Sequence, residues 1–132
     1  MTVVVGFVPS PEGWAALDAA LAECGRRGTG LVVVNTTRAD RLVDPSYAQE
    51  EEVDRLTAVL AASGVAHEVR QFTSSKYPDE DVITTADEVD AEVVVIGLRK
   101  RSATGKLLMG STSQRLLLSI DRPVLAVKAA RD

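Results

Sequence analysis

Apolar positions along the chain switch repeatedly between a continuous run and a helical stripe. Val3-Val4-Val5-Gly6-Phe7-Val8 is an unbroken, largely β-branched run, which predicts a strand buried on both faces. Trp14, Leu17, Leu21 and Cys24 then recur at helical spacing. Ser10-Pro11-Glu12 supplies this helix with an N-cap, a first-turn proline and an acid at its positive end, and the stretch from Gly25 to Gly30 closes it. Leu31 to Val34 predicts a second strand, followed by a loop opening at Asn35-Thr36-Thr37. After a polar connection, a helix is expected over Ser46 to Ala62. Its Val53, Leu56 and Leu60 should point inward, with Glu50, Glu51 and Glu52 forming a solvated face. Ser63-Gly64 ends it, and Ala66 to Phe72 alternates as a less buried strand that carries His67, an edge or surface histidine. Pro78 to Val89 reads as a helix with Val82, Ile83, Ala86 and Val89 inward. Val93 to Ile96 reads as a strand. Ser111-Thr112-Ser113-Gln114 reads as a capping box for a helix to about Ile120. Asp121-Arg122-Pro123 breaks that helix ahead of a last strand over Val124 to Val127.

Strict alternation of strands and helices predicts an α/β fold: a single-domain open sheet of five parallel strands with helices on both faces, over residues 1–132. Ligands of such sheets bind beyond the carboxyl ends of the strands, where the strand order reverses. The relevant loops follow the first, second and fourth strands, and hold Val8-Pro9-Ser10, Asn35-Thr36-Thr37 and the segment from Gly97 to Ser113.

Composition narrows the function. Hydrophobic residues are 45% and charged residues 26% of the 132 positions, as in a globular domain with a core of its own. No apolar run is long enough to span a membrane. The strand-like run begins directly after Met1-Thr2 with no basic leader, so a cytoplasmic location is expected. The lone Cys24 excludes an internal disulfide and any cysteine-cluster metal site, and reads as a buried structural thiol. The net charge of −4 argues against a nucleic-acid partner. That charge is uneven: seven acids and no base lie between Asp79 and Glu92, and four bases and no acid between Arg99 and Lys106. A local basic patch on an acidic protein suits a small anion, since long-range repulsion opposes a polyanion.

The long segment from Gly97 to Ser113 carries the candidate chemistry. Gly97 permits a turn or a close ligand approach directly after a buried strand. Gly110-Ser111-Thr112-Ser113 opens a helix with free N–H groups and hydroxyls that suit phosphate oxygens, while Arg99, Lys100, Arg101 and Lys106 supply positive charge. A helix cap and solvated loop charges account for the same residues. Leu107 follows Gly105-Lys106, so this is not a Walker A loop, and the dinucleotide fingerprint is absent too. No nucleophile–base arrangement stands out.

These features together resemble the universal stress protein family. The likeness runs from the first strand with Pro9-Ser10 and Trp14-Ala15-Ala16-Leu17, through Pro78 to Ala91 and Val93-Val94-Val95-Ile96-Gly97. It ends on Gly110-Ser111 and Arg122-Pro123-Val124-Leu125-Ala126-Val127. Nucleotide-binding members carry a glycine, two residues, a glycine, nine residues, then glycine and Ser or Thr; Gly97 and Gly110-Ser111 keep that frame. The resemblance implies a Rossmann-like sheet and a homodimer paired through the last strand, Val124 to Val127. It also implies ATP, with or without Mg²⁺, as ligand: Gly97, Gly110, Ser111 and Ser113 at the phosphates or ribose, and Thr36, Val8 and Pro9 flanking the adenine. Arg99, Lys100 and Thr112 belong to the same binding segment. The implied role is a non-enzymatic, stress-response nucleotide binder, at most a slow ATPase, because no residue is placed to activate water. Two positions depart from the pattern. Lys100 stands where the second glycine belongs, and Val8 where binding members carry an aspartate for the base. These departures support the alternative of a dimeric interaction module that works without nucleotide.

Overall fold

The structure is a computed structural model that describes residues 2–36, 46–72, 78–98 and 111–129. Its elements in chain order are β1 (Thr2–Phe7), α1 (Pro11–Arg27), β2 (Gly30–Thr36), α2 (Ser46–Ser63), β3 (His67–Phe72), α3 (Pro78–Val89), β4 (Ala91–Leu98), α4 (Ser111–Ser119) and β5 (Val124–Lys128). All four strand pairings are parallel, in the order β3-β2-β1-β4-β5. The predicted fold class is thus observed.

The strand order has a physical consequence for function. The chain travels from β1 to β2 to β3, then returns to the other side of β1 for β4 and β5. Crossovers of one hand then require the helices of the two halves to lie on opposite faces. They do. Val3, Val5, Phe7, Val33 and Val95 pack with Ala16, Leu17 and Ala20 of α1 and with Leu56 and Leu60 of α2. Val4, Val34, Val94 and Ile96 pack with Val82 and Ala86 of α3 and Leu116 of α4. Each of the three central strands, β2, β1 and β4, buries alternate residues on each side, which is why these runs show no polar alternation. The switch in strand order falls between β1 and β4, and their carboxyl ends mark the crevice.

Local chemistry sets the element ends. Ser10 caps α1, its hydroxyl accepting from the Gly13 N–H at 3.2 Å, with Pro11 in the first turn. Gly28 closes that helix at φ 63, and Gly64 follows α2 at φ 73, left-handed values that suit a residue without Cβ. Arg122, in the turn before β5, donates to Asp90 Oδ1 and to the Ala91 carbonyl, both at 2.9 Å. This ties that turn to the start of β4.

Three expectations need correction. β2 continues through Asn35 and Thr36, which pair with Gln71 and Phe72, and β4 continues through Gly97, which pairs with Val127. Thr36 and Gly97 are therefore strand residues, because sheet pairing outlasts the apolar run. On α2, Val53 is exposed at 37%, whereas a carboxylate oxygen of Glu52 is buried. Glu52, Leu56 and Leu60 are spaced by four, so the inward stripe begins with a glutamate. The last helix includes Ser111 as a helical residue, one position earlier than a cap there requires.

Candidate functional site

The β1–α1 turn meets the end of β4 at the switch point, and two glycines make that approach possible. A Cβ on Gly97 would fall 2.2 Å from the Glu12 carbonyl oxygen, and one on Gly13 would fall 1.7 Å from the Val8 carbonyl oxygen. Neither glycine has a positive φ. Each is needed for space: the first turn of α1 lies directly on the ends of β1 and β4. The expectation that Gly97 gives a ligand room or makes a turn is thus replaced by helix–strand packing. The result still serves a site, since it fixes the N-terminus of α1 at the crevice.

Val8 stands just beyond β1 with its side chain 39% exposed. Its carbonyl accepts from the Ser10 N–H at 2.8 Å. The isopropyl group offers a base no hydrogen bond. Pro9 and Ser10 follow, and with Pro11, Trp14, Glu52 and Arg55 they line an open cleft of about 380 Å³ between the β1–α1 turn and α2. Trp14 is held edge-on to Phe7, ring centroids 4.9 Å apart at 78°, and the Arg55 guanidinium lies over its other side at 4.0 Å. An edge-to-face pair of this kind contributes about 0.5–1.5 kcal/mol beyond burial. Glu52 Oε2 and Asn35 Oδ1 are buried without a hydrogen-bond partner.

Across the crevice, α4 begins at Ser111 with Ser113 half-buried in its first turn. Helix starts present unpaired N–H groups and the positive end of the helix dipole, which suit an anion. Arg115, one turn on, faces Asp79 at 3.5 Å and Glu80 at 3.9 Å on α3. The Asp79 carboxylate is buried, so the pair ties the starts of α3 and α4 together.

The structure therefore brings together Val8, Pro9 and Gly97 at the switch point, with the backbones of Thr36 at the end of β2 and of Ser111, Thr112 and Ser113 at the start of α4. Arg99, Lys100 and Gly110 lie outside the described residues. A helix start and two tightly apposed strand ends flank the crevice. Sequence reading missed Gly13 and Glu52 as members of this region, while Asn35 lies in a segment it had named as a loop. The four-residue spacing of Glu52, Leu56 and Leu60 was the available signal for one of them.

The residues read for other roles behave as spacers or supports. Burial pushes the Cys24 thiol up to about 11, and its Sγ lies 3.5 Å from the Gly30 carbonyl. His67 is exposed on the edge strand, its Nδ1 2.9 Å from the Val65 carbonyl. Among the described residues, no group of three or more His, Cys, Asp or Glu could hold a metal, and no helix is long and apolar enough to cross a membrane.

Comparison with known proteins places this geometry. A universal stress protein from Mycolicibacterium smegmatis is 46% identical over 126 residues, covering 96% of each chain. A solved universal stress protein from Archaeoglobus fulgidus superposes with a TM-score of 0.79 at 30% identity, covering 97% of this chain and 98% of that one. A universal stress protein of Archaeoglobus fulgidus in complex with dAMP superposes at 0.73 with 25% identity, covering 97% and 98% of the two chains. The family model for universal stress proteins matches residues 1–128, and the chain belongs to the universal stress protein family.

Proposed function

We propose that this protein binds an adenine nucleotide, ATP by preference, as a homodimeric and non-enzymatic component of a stress response in the cytoplasm. The observation that carries the reading is the switch-point geometry. Gly97 and Gly13 draw the first turn of α1 onto the ends of β1 and β4, and α4 opens on the opposite side at Ser111-Thr112-Ser113. The dAMP complex of the Archaeoglobus relative supports it, because that nucleotide occurs on the same fold. The frame of Gly97, Gly110 and Ser111 is the spacing of nucleotide-binding members. In this reading Gly110, Ser111, Thr112 and Ser113 hold the phosphates, with Arg99 and Lys100 supplying charge and Mg²⁺ as counter-ion when present. Thr36, Val8 and Pro9 flank the base.

Catalysis is not part of the proposal. Phosphoryl transfer to water needs a group that orients the nucleophile, and none of the residues assigned to the phosphates is a carboxylate or a histidine. The dimer reading rests on β5, an edge strand of half-buried and exposed residues that follows α4, whose Leu118 is 81% exposed. An apolar edge of this kind calls for a partner strand. The alternative, an interaction module independent of nucleotide, is favoured by the apolar, exposed Val8 and by Lys100. Acid release and chromatography of nucleotide carried through purification, with sedimentation of the native protein, tests the proposal. It expects adenine nucleotide in a dimer. An empty dimer that takes up none on addition supports the alternative.

A further inference from the structure

We propose that the base of the nucleotide is read by α2, in the cleft between the β1–α1 turn and that helix, with Glu52 accepting a hydrogen bond from an exocyclic amine. This rests on the nucleotide reading above and assigns the part of the site that Val8 cannot serve.

Two observations converge on this cleft. The first is an unmet acceptor. Glu52 Oε2 is buried with no donor, and Glu52 stands on the inward stripe of α2, one turn before Leu56. A buried carboxylate oxygen without a donor costs more than a neutral group in the same place. A ligand N–H removes that cost. The second is the cleft's shape and chemistry. Its lining of Pro9, Ser10, Pro11, Trp14, Glu52 and Arg55 combines flat apolar surfaces with one acceptor and one cation. The Arg55 guanidinium is 4.0 Å from the Trp14 ring centroid, and the residue remains exposed on its outer side. A guanidinium held on an aromatic ring is a planar platform, and a heteroaromatic ring stacks on such a plane.

The chemistry selects the occupant. The unmet atom is an acceptor, so the group that satisfies it must donate. Carboxylates and phosphates fail that requirement, whereas an amine-bearing planar ring meets it while stacking on Arg55. Pro9 belongs both to this cleft and to the turn at the switch point. A base lodged here is therefore continuous with phosphates at the crevice.

The test compares ATP with purine riboside triphosphate, which lacks the 6-amino group, on the full chain and on Glu52→Leu. A hydrogen bond to a charged acceptor is worth roughly a ten- to hundredfold preference, so the natural protein should favour ATP by about that ratio. Glu52→Leu should bring the ratio to about one, by weakening ATP alone. It should also melt no lower than the natural protein, since an apolar side chain replaces a carboxylate whose Oε2 is buried without a donor. Glu52→Gln, which keeps a neutral acceptor, should give an intermediate ratio and guards against a misfolded leucine variant. An undiminished preference in both variants overturns the assignment of Glu52 while leaving nucleotide binding standing. Absence of ATP binding to the natural protein overturns both.

Discussion

Replacing Gly97 by alanine perturbs one atom, and the structure states where that atom must go. The new Cβ falls 2.2 Å from the Glu12 carbonyl oxygen, 2.7 Å from its carbonyl carbon and 3.0 Å from its Cβ. Two of the three are backbone atoms, so no rotamer change relieves the contact. Either the first turn of α1 lifts by about 1 Å, or β4 shifts in its pairing with β1 and β5; overpacking of this kind costs about 1–3 kcal/mol. For a domain of this size that is roughly 4–12 °C in melting temperature. The same logic ranks four substitutions. Gly25→Ala should stabilise by up to ~1 kcal/mol, because the position is helical and nothing lies within 4 Å of a Cβ there. Gly6→Ala should change little, since its Cβ meets Val82 Cγ2 at 3.4 Å. Gly97→Ala should be severe, and Gly13→Ala worse, with a Cβ 1.7 Å from the Val8 carbonyl oxygen. Scanning calorimetry of the four variants checks the order. A Gly97→Ala protein that melts with the natural one refutes the claim that helix–strand contact, not backbone freedom, explains this glycine.

Two other outcomes follow from single residues. Val8→Asp should tighten ATP binding about fivefold, from one added hydrogen bond of ~1 kcal/mol; equilibrium titration beside GTP would show whether the gain is confined to adenine. The Cys24 thiol is raised from 9.0 to about 11 by burial, so the folded state holds this proton more tightly than the unfolded chain does. Its contribution to stability is present below pH 9 and falls as the pH climbs toward 11. Denaturant melts of the natural protein and Cys24→Ala should therefore diverge least at pH 11. Below pH 9 the native thiol should react with a disulfide reagent only as fast as the protein opens.

The fold was legible because its determinants are local. Three of the five strands announce themselves as β-branched runs, and Ser10, Gly28, Ser63-Gly64 and Pro123 mark where elements begin or stop. The strand ends were less legible, since Asn35, Thr36 and Gly97 belong to the sheet through pairing with other strands rather than by their own side chains. Glu52 and Val53 were exchanged for a related reason. Hydropathy favours valine inward, but a helix face set by Leu56, Val59 and Leu60 admits position 52 instead. At Gly97 the residue type pointed to ligand approach, and only the topology shows that a helix occupies the space. That helix is α1, joined to the chain some eighty residues earlier, so no window of sequence around position 97 contains its partner.

The central claim is that this crevice holds an adenine nucleotide. Titration calorimetry of the purified protein with ATP and Mg²⁺, after removal of any carried nucleotide, tests it most directly. The account predicts a saturable heat at micromolar ATP, with GTP weaker. A folded, empty protein that gives no heat up to millimolar ATP contradicts it, and leaves the protein as an interaction module whose partners are proteins.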